Sequence, residues 1–293
     1  MPLRDVLLAL AVATVWGLSF IAIRWGVDEV SPLLLTALRY TFAALPAVFF
    51  IRPPKADWRI VVAYGFAIGV GQFGLLFLAI KLGMPAGLSS LVIQLQVFFT
   101  IFLAFLVFGE RPTAPQIVGA LVAFLGIGVI AVERLEGAAL LPLVLTIIAA
   151  VFWGFGNTAG KKAGRVDMLS FVTWSALVPP IPLVLVAMLL DGPGIFASAI
   201  EHITWRGIGS IAFMSYAATL FGFGAWAWLL SRYPASQVTP FALFIPVVGI
   251  ISGALLLGEH ITMLEIAGGA LVLAGLIVNV FGQRLFGGRT VRT

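Results

Sequence analysis

The side chains that most often carry out chemistry are few in this 293-residue sequence, and they lie between its long apolar stretches. Both histidines, His202 and His260, lie in short polar joints, and there is no cysteine. The twelve carboxylates, also confined to joints or to the ends of apolar stretches, are Asp5, Asp28, Glu29, Asp57, Glu110, Glu133, Glu136, Asp167, Asp191, Glu201, Glu259 and Glu265. A proton relay through an apolar segment needs a carboxylate or histidine inside it, and thiolate chemistry needs cysteine. The sequence therefore gives no support for a simple proton relay, a metal site or a catalytic residue.

Arg39 is the one charged residue well inside an apolar stretch. A guanidinium in that position could bind a substrate carboxylate through paired hydrogen bonds. The alternative role is structural, because a long arginine side chain can extend to the polar end of its segment or pair with Asp28 or Glu29. The sequence leaves both roles open.

Uncharged polar and aromatic side chains inside the apolar stretches are the remaining candidates for a binding site. An amide in an apolar environment leaves its donors and acceptors unpaired, so it has to face protein or a wet cavity. Gln94 and Gln96 are two residues apart, about 200° around a helix, and cannot both face one cavity; Gln94 is preferred. The predicted substrate-binding residues are Trp16, Ser19, Gln72, Gln94, Trp153, Asn157 and Tyr216. Hydrogen bonding between helices is the alternative role for the polar members.

Two tryptophans, Trp16 and Trp153, lie in the middle of apolar stretches, and each is followed by a glycine. Tryptophan in a membrane protein is usually found at the boundary between water and lipid, so two at mid-depth need another explanation. The pair predicts symmetric walls of a cavity, whose rings would offer apolar and π surface to a substrate. Packing in the core is the alternative. The predicted hinges of the moving helices are Gly17, Gly154 and Pro246.

The composition indicates which solvent surrounds the apolar stretches. Hydrophobic residues make up 61% of the chain and charged residues only 10%, against about 45–50% and about 25% in soluble domains. A helix needs roughly 20 apolar residues to cross a bilayer. Ten stretches meet that requirement: 5–24, 33–51, 60–80, 85–108, 114–132, 140–160, 168–190, 206–230, 235–257 and 262–282. We therefore predict an all-α membrane protein with ten transmembrane helices in a lipid bilayer, the first stretch being a retained helix.

Enzyme motifs give no competing interpretation. The segment GVGQFG at 69–74 matches a dinucleotide-binding pattern, which requires a strand before it and a helix after it. Here the segment lies inside an apolar helix, where its glycines predict close helix packing. The phosphate-loop, nucleophile-elbow and zinc-protease patterns are absent from the sequence. We therefore predict no enzymatic activity and no cofactor.

Basic residues in the joints predict the orientation of the chain. Twelve arginines and lysines lie on the side of both termini, and four lie on the other side. By the positive-inside rule, both termini lie in the cytoplasm. The basic residues are scattered among short joints instead of forming a stripe, so nucleic acid is not a predicted partner.

The two halves of the chain repeat each other. A shift of 137 residues places Trp16-Gly17 on Trp153-Gly154, and a shift of 149 places FGERPTAPQIVGALVAFLGI (108–127) on LGEHITMLEIAGGALVLAGL (257–276). Each half holds five spans, and because five is odd the second half enters the membrane from the opposite side. The sequence therefore predicts two inverted repeats, 1–137 and 138–293, around a central cavity, an arrangement typical of secondary transporters.

This order of features resembles the EamA-type branch of the drug/metabolite transporter superfamily. The resemblance covers nearly the whole chain and rests on the Trp-Gly in the first helix of each half, on SPLLLTALRY (31–40) at helix 2, and on Gly-Glu after helices 4 and 9. It implies ten helices around a cavity, alternating access and a bacterial inner membrane, and the likeness is greatest to exporters of aromatic and other neutral amino acids. One departure is Val97, because the family often has proline in helix 4 as well as in helix 9, where Pro246 lies.

We therefore expect an inner-membrane exporter of neutral and especially aromatic amino acids, which works by alternating access through facilitated diffusion (uniport) or exchange. The alternatives are export of another uncharged or zwitterionic metabolite, such as a nucleoside or purine, and a non-transporting membrane scaffold. A phosphorylated substrate would need several basic residues in the cavity, and Arg39 is the only candidate. The sequence leaves the oligomeric state open, a monomer included.

Overall fold

Every regular element in the described part of the chain is helical. The computed structural model describes residues 1–136, 140–164 and 166–286. Its apolar helices are α1 (Leu3–Glu29), α2 (Pro32–Val48), α3 (Trp58–Lys81), α4 (Ala86–Phe108), α5 (Ala114–Glu136), α6 (Leu140–Lys162), α7 (Met168–Asp191), α8 (Trp205–Arg232), α9 (Thr239–Leu257) and α10 (Met263–Phe286). A short helix, Ile195–His202, lies in the loop between α7 and α8, and a helical turn, Ala235–Val238, precedes α9.

These helices have the length and composition of membrane spans. Nine of the helices in the described residues are long and apolar enough to cross a bilayer, and α2 is a shorter apolar helix of 17 residues. Because a span needs roughly 17–25 residues, α2 lies at the lower limit. The predicted all-α membrane fold is confirmed, whereas the count of ten crossings stays a prediction.

Within the described residues, two helices contain a π-helical segment, at corresponding places in the two halves of the chain. The segment Phe66–Gly74 of α3 is a π-helix, and so is the segment Phe213–Phe221 of α8. π-helical segments are rare and frequently occur at functional sites. The GVGQFG sequence lies inside the first segment, where a Cβ added to Gly69 would overlap Pro179 and one added to Gly71 would overlap Phe152. Its glycines therefore permit close helix packing.

Tight 3₁₀ turns interrupt α4 and begin α9. They comprise Ile93–Leu95 in α4 and Thr239–Leu243 in α9. Pro246 lies in the first turn of the α-helical part of α9, directly after the 3₁₀ turn. The turn in α4 forms without a proline, since Val97 occupies the position that aligns with Pro246. Both halves therefore change helix geometry at this depth, while the hinge role of Pro246 stays a prediction.

Helices α5 and α10 cross through glycines. Gly119 faces Gly275 and Gly126 faces Gly268, and a Cβ on any of the four would overlap the facing carbonyl oxygen. Small residues permit this close approach of two backbones. Because the lower-numbered glycine of one helix contacts the higher-numbered glycine of the other, the two helices run antiparallel.

The buried apolar residues are distributed unequally between the two ends of the bundle. The end that carries Lys81 is denoted the Lys81 end, and the opposite one the Lys161 end. One continuous cluster lies mainly in the half of the bundle toward the Lys81 end. Toward the Lys161 end, buried apolar residues separate into three smaller clusters, around Tyr64, Leu229 and Tyr40. The bundle is therefore closed at the Lys81 end and divided at the Lys161 end.

Candidate functional site

Arg39 is buried inside the bundle and pairs with no acidic residue in the described part of the chain. Its side chain is 2% exposed, and its Nε and Nη2 groups donate to the Thr219 hydroxyl at 3.3 and 3.2 Å. The third nitrogen, Nη1, is also buried and makes no hydrogen bond with any described residue. A buried charge is costly unless it is paired. Arg39 therefore presents an unused donor and an uncompensated positive charge.

The two acidic residues suggested as partners of Arg39 are bonded elsewhere. Asp28 Oδ1 lies 3.3 Å from Arg24 Nη2, within the same helix. The Glu29 carboxylate accepts hydrogen bonds from the backbone N–H and the hydroxyl of Thr204 at the start of α8. Neither structural alternative from the sequence, pairing with these residues or extension to the polar surface, describes the buried Arg39.

Aromatic rings cover the Arg39 guanidinium. Its central carbon lies 3.9 Å from the Phe73 ring centroid and 5.5 Å from the Tyr40 centroid, distances at which a cation and a ring attract each other. Phe73 belongs to the π segment of α3, and Thr219 belongs to that of α8. The two irregular segments therefore meet at Arg39 from two sides.

A small cavity adjoins this group of residues. Its volume is about 10 Å³, which is room for about one water molecule. Tyr40 and Thr219, the neighbours of Arg39, line it together with Tyr64 and Phe223. The site is therefore mainly aromatic and is closed around its polar groups in this conformation.

Trp16 is half-buried and is held by α8. Its indole N–H donates to the Ala218 carbonyl at 2.9 Å, inside the π segment. Its ring centroid lies 5.4 Å from that of Phe223 and 5.2 Å from that of Trp226. Because Phe223 also lines the small cavity, Trp16 reaches the aromatic region beside Arg39.

Trp153 packs between the continuous apolar cluster and the cluster around Tyr64. The glycines that follow the two tryptophans each contact a helix of the other half. A Cβ on Gly17 would lie 2.6 Å from Val248 Cβ in α9, and one on Gly154 would lie 3.1 Å from Phe99 Cβ in α4. Both glycines therefore allow neighbouring helices to approach closely, and their hinge role stays a prediction.

Asn157 belongs to a hydrogen-bonded group between α4 and α6. Its amide nitrogen donates to Gln96 Oε1 at 2.8 Å and to the Thr100 hydroxyl at 3.0 Å. Thr100 and Asn157 line a cleft of about 330 Å³ that extends to Glu110 and Lys161. The amide that meets Asn157 is thus Gln96, whereas the sequence analysis preferred Gln94 for the cavity.

The other predicted substrate-binding residues are dispersed. Gln72, in the π segment of α3, is 2% exposed, and its amide oxygen has no hydrogen-bond partner in the described residues. Gln94 is buried in the 3₁₀ turn of α4. The Ser19 hydroxyl donates to the carbonyl of Trp16 in its own helix. Tyr216 is 46% exposed and so does not contribute to the buried site.

Several residues around Arg39 were missed by reasoning from the sequence. Tyr40, Phe73, Thr219 and Phe223 lie in apolar runs, where aromatic residues and threonine are common and give no signal of their own. Only Tyr40 could have been found, because it follows Arg39 directly. Thr219 is 180 residues away in the sequence, and the fold alone brings it to the guanidinium.

A bundle of long apolar helices that buries an unpaired cation defines a multi-pass membrane protein with a polar interior site, an architecture used for transport across membranes. The expectation from the sequence is confirmed at the level of the family. The chain belongs to the EamA-like transporter family, whose model matches residues 3–132 and 140–281.

Individual relatives cover almost the whole chain. The chain is 42% identical over 290 residues to a probable amino-acid metabolite efflux pump of Escherichia coli (strain K12), covering 97% of each protein. It is 28% identical over 291 residues to a probable terminal-alkyne amino-acid exporter of Streptantibioticus cattleyicolor, covering 96% of this chain and 94% of that protein. A crystal structure with 19% identity superimposes with a TM-score of 0.67 over 97% of this chain and 98% of that one, which shows a shared fold.

Proposed function

We propose that this protein exports neutral amino acids, with a preference for aromatic ones, by alternating access. The observation that carries the proposal is the buried Arg39, whose Nη1 has no partner in the described residues. A carboxylate placed against Nη1 would supply both the missing acceptor and the missing negative charge. Charge-assisted bonds between arginine and carboxylate are among the strongest polar contacts in proteins. Arg39 is therefore the carboxylate partner, and the substrate is a carboxylate-bearing molecule.

Gln72 is the proposed partner of the substrate amino group. It lies next to Phe73, which covers the Arg39 guanidinium, and its buried amide oxygen lacks a donor. An ammonium group supplies three donors and no acceptor, so it suits an unpaired amide oxygen. A neutral acceptor for the ammonium group and a cationic partner for the carboxylate match a zwitterion better than an uncharged purine or nucleoside, which would leave Arg39 unpaired.

The preference for aromatic side chains follows from the rings around the site. Phe73, Tyr40 and Phe223 adjoin Arg39 or the small cavity, and the Trp16 ring packs at a tilt against Phe223. Aromatic pairs contribute about 0.5–1.5 kcal/mol beyond area burial. The cavity of about 10 Å³ is too small for an amino acid, so substrate binding requires a conformation in which the surrounding helices move apart.

The two halves, 1–137 and 138–293, are proposed to act as inverted repeats. The antiparallel crossing of α5 and α10 supports this proposal, since an axis in the membrane plane relates equivalent helices of opposite direction. The closed Lys81 end and the divided Lys161 end support alternating access, in which the opening passes from one end to the other. The loop charges favour both termini in the cytoplasm, and the bacterial relatives favour the inner membrane.

Efflux from liposomes tests the proposed function. Purified protein in liposomes loaded with labelled phenylalanine or threonine is expected to release the amino acid faster than protein-free liposomes. External phenylalanine should exchange with or compete for this flux, whereas phenylalanine amide and adenosine, which lack the carboxylate, should not. Flux that requires a pH or sodium gradient would contradict facilitated diffusion or exchange. Release no faster than from protein-free liposomes would contradict the amino-acid assignment.

Substitution of Trp16 tests whether the aromatic rings around the site determine the substrate preference. Trp16→Phe keeps a ring against Phe223 but removes the N–H that bonds to the Ala218 carbonyl. We expect a loss of about 0.5–1.5 kcal/mol in the free energy of unfolding, together with a changed ratio of phenylalanine to threonine efflux. Trp205→Phe is the matched control, because Trp205 is 86% exposed. An unchanged substrate ratio in Trp16→Phe and Trp16→Ala would leave Trp16 with a packing role alone.

A further inference from the structure

Glu259 joins the two halves of the chain at the Lys81 end. Its carboxylate accepts hydrogen bonds from the backbone N–H groups of Ala86 and Gly87, at 2.5 and 2.9 Å. These residues begin α4, and the free N–H groups at a helix start attract negative charge. Gly87 also lies against the backbone of Gly249 and Ile250 in α9. The start of α4 is thus docked between α9 and Glu259, which closes this end.

The repeat-equivalent carboxylate at the Lys161 end is bonded differently. A shift of 149 residues relates Glu259 to Glu110, and it relates the start of α4 to the turn Ala235–Val238 that precedes α9. Glu110 forms an ion pair with Lys161 of α6. Beside this pair lies the open cleft of about 330 Å³.

The cleft is the counterpart of the site that α4 fills at the Lys81 end. In α9, Gly249, Ile250 and Gly253 surround the docked start of α4 and Glu259. Under the shift of 149 residues, their equivalents in α4 are Thr100, Ile101 and Ala104. All three line the open cleft together with Glu110. The surface of α9 is therefore covered by the start of α4, whereas the equivalent surface of α4 faces an open cleft.

We propose that the cleft receives the turn Ala235–Val238 in the opposite state of the transport cycle, a proposal that rests on alternating access. In that state Glu110 leaves Lys161 and accepts hydrogen bonds from the backbone N–H groups of the turn. At the Lys81 end Glu259 releases α4 and pairs with Arg24, which is the repeat equivalent of Lys161. In the present structure Arg24 pairs with Asp28 and donates to the Ile80 carbonyl. The two glutamates form a pair of gates, and each is closed when the other is open.

A cysteine in the cleft reports which gate is closed. The chain has no cysteine of its own, so Ala104→Cys gives a single site for a maleimide applied to the purified protein in detergent. Adding Glu259→Gln is expected to lower the labelling rate roughly fivefold, the effect of losing one helix cap, because the Lys81 end opens and the cleft fills. Adding Glu110→Gln to that variant should restore the rate, since the cleft then loses its own cap. Lys161→Gln alone should lower labelling, because it frees Glu110.

Opposite effects of two equivalent glutamates distinguish a gate from a structural role. Unfolding exposes the cysteine and raises labelling, so the expected fall cannot result from misfolding. Glu201→Gln, in the exposed short helix, is the matched control and should leave labelling unchanged. Labelling that does not fall in Glu259→Gln, or is not restored by Glu110→Gln, would overturn the proposal. The labelling assay uses no substrate, so it is independent of the efflux assay. Expected labelling without amino-acid efflux would refute only the proposed substrate. Amino-acid efflux without the expected labelling would refute only the proposed gates.

Discussion

Arg39→Met is expected to abolish transport of carboxylate-bearing substrates while leaving the protein at least as stable as the wild type. Methionine keeps a long apolar side chain beside Phe73, but it removes the buried charge and the free Nη1. Losing one partner of a buried charge pair costs about 3–5 kcal/mol. This corresponds to roughly 10²- to 10⁴-fold weaker substrate binding. Phenylalanine efflux from liposomes and the affinity for phenylalanine measure the loss.

The stability of the same variant separates a binding role from a structural one. An arginine kept for helix packing would destabilise the protein when replaced, whereas removing an uncompensated buried charge is often neutral or stabilising. Phenylalanine should raise the melting temperature of the wild type but not that of Arg39→Met. Arg59→Met is the matched control, because Arg59 is exposed at the start of α3 and belongs neither to the site nor to the gates; it should retain efflux. An Arg39→Met protein that transports phenylalanine normally would refute the proposal that Arg39 binds the substrate carboxylate.

The fold class follows from the length and the charge content of the apolar stretches, which can be read directly from the sequence. Long apolar stretches with few charges require lipid, and helices satisfy all backbone groups within one segment. The π segments could not be predicted in this way. Phe213–Phe221 contains neither glycine nor proline, and the three glycines of Phe66–Gly74 weaken a helix without specifying π geometry. A distant side chain contacts the displaced backbone, as the Trp16 indole does at the Ala218 carbonyl. Local sequence carries no record of a contact across 202 residues.

In the candidate site too, the roles of single residues depend on helix geometry and packing that the sequence does not reveal. The expectation that Gln94 and Gln96 cannot share one cavity assumed about 100° per residue, but Ile93–Leu95 forms a 3₁₀ turn with about 120° per residue. Gln94 is buried within this turn, and Gln96 accepts the hydrogen bond from Asn157 of α6. Arg39 itself was evident from its charge in an apolar run, yet its bonding to Thr219 depends on how α2 and α8 pack.

Gly126→Ala and Gly275→Ala are expected to destabilise the protein strongly and by similar amounts. A Cβ at Gly126 would overlap the Gly268 carbonyl oxygen, and one at Gly275 would overlap that of Gly119. The obstacle is backbone in both cases, so no rotamer change can relieve it and α5 and α10 have to separate. Overpacking of this kind costs about 1–3 kcal/mol and at times more. Denaturant unfolding in detergent micelles measures the change in the free energy of unfolding.

The similarity of the two losses carries the argument for the inverted repeat. Under a shift of 149 residues Gly126 is equivalent to Gly275, and the contact of Gly126 with Gly268 is equivalent to that of Gly275 with Gly119. An isologous crossing, in which equivalent residues exchange contacts, predicts similar effects, whereas a chance contact does not. Gly128→Ala is the control in the same helix, because a Cβ there meets no atom within 4 Å. Since alanine favours a helix by about 1 kcal/mol over glycine, the control should be neutral or stabilising, and a Gly126→Ala protein of equal stability would refute the close crossing.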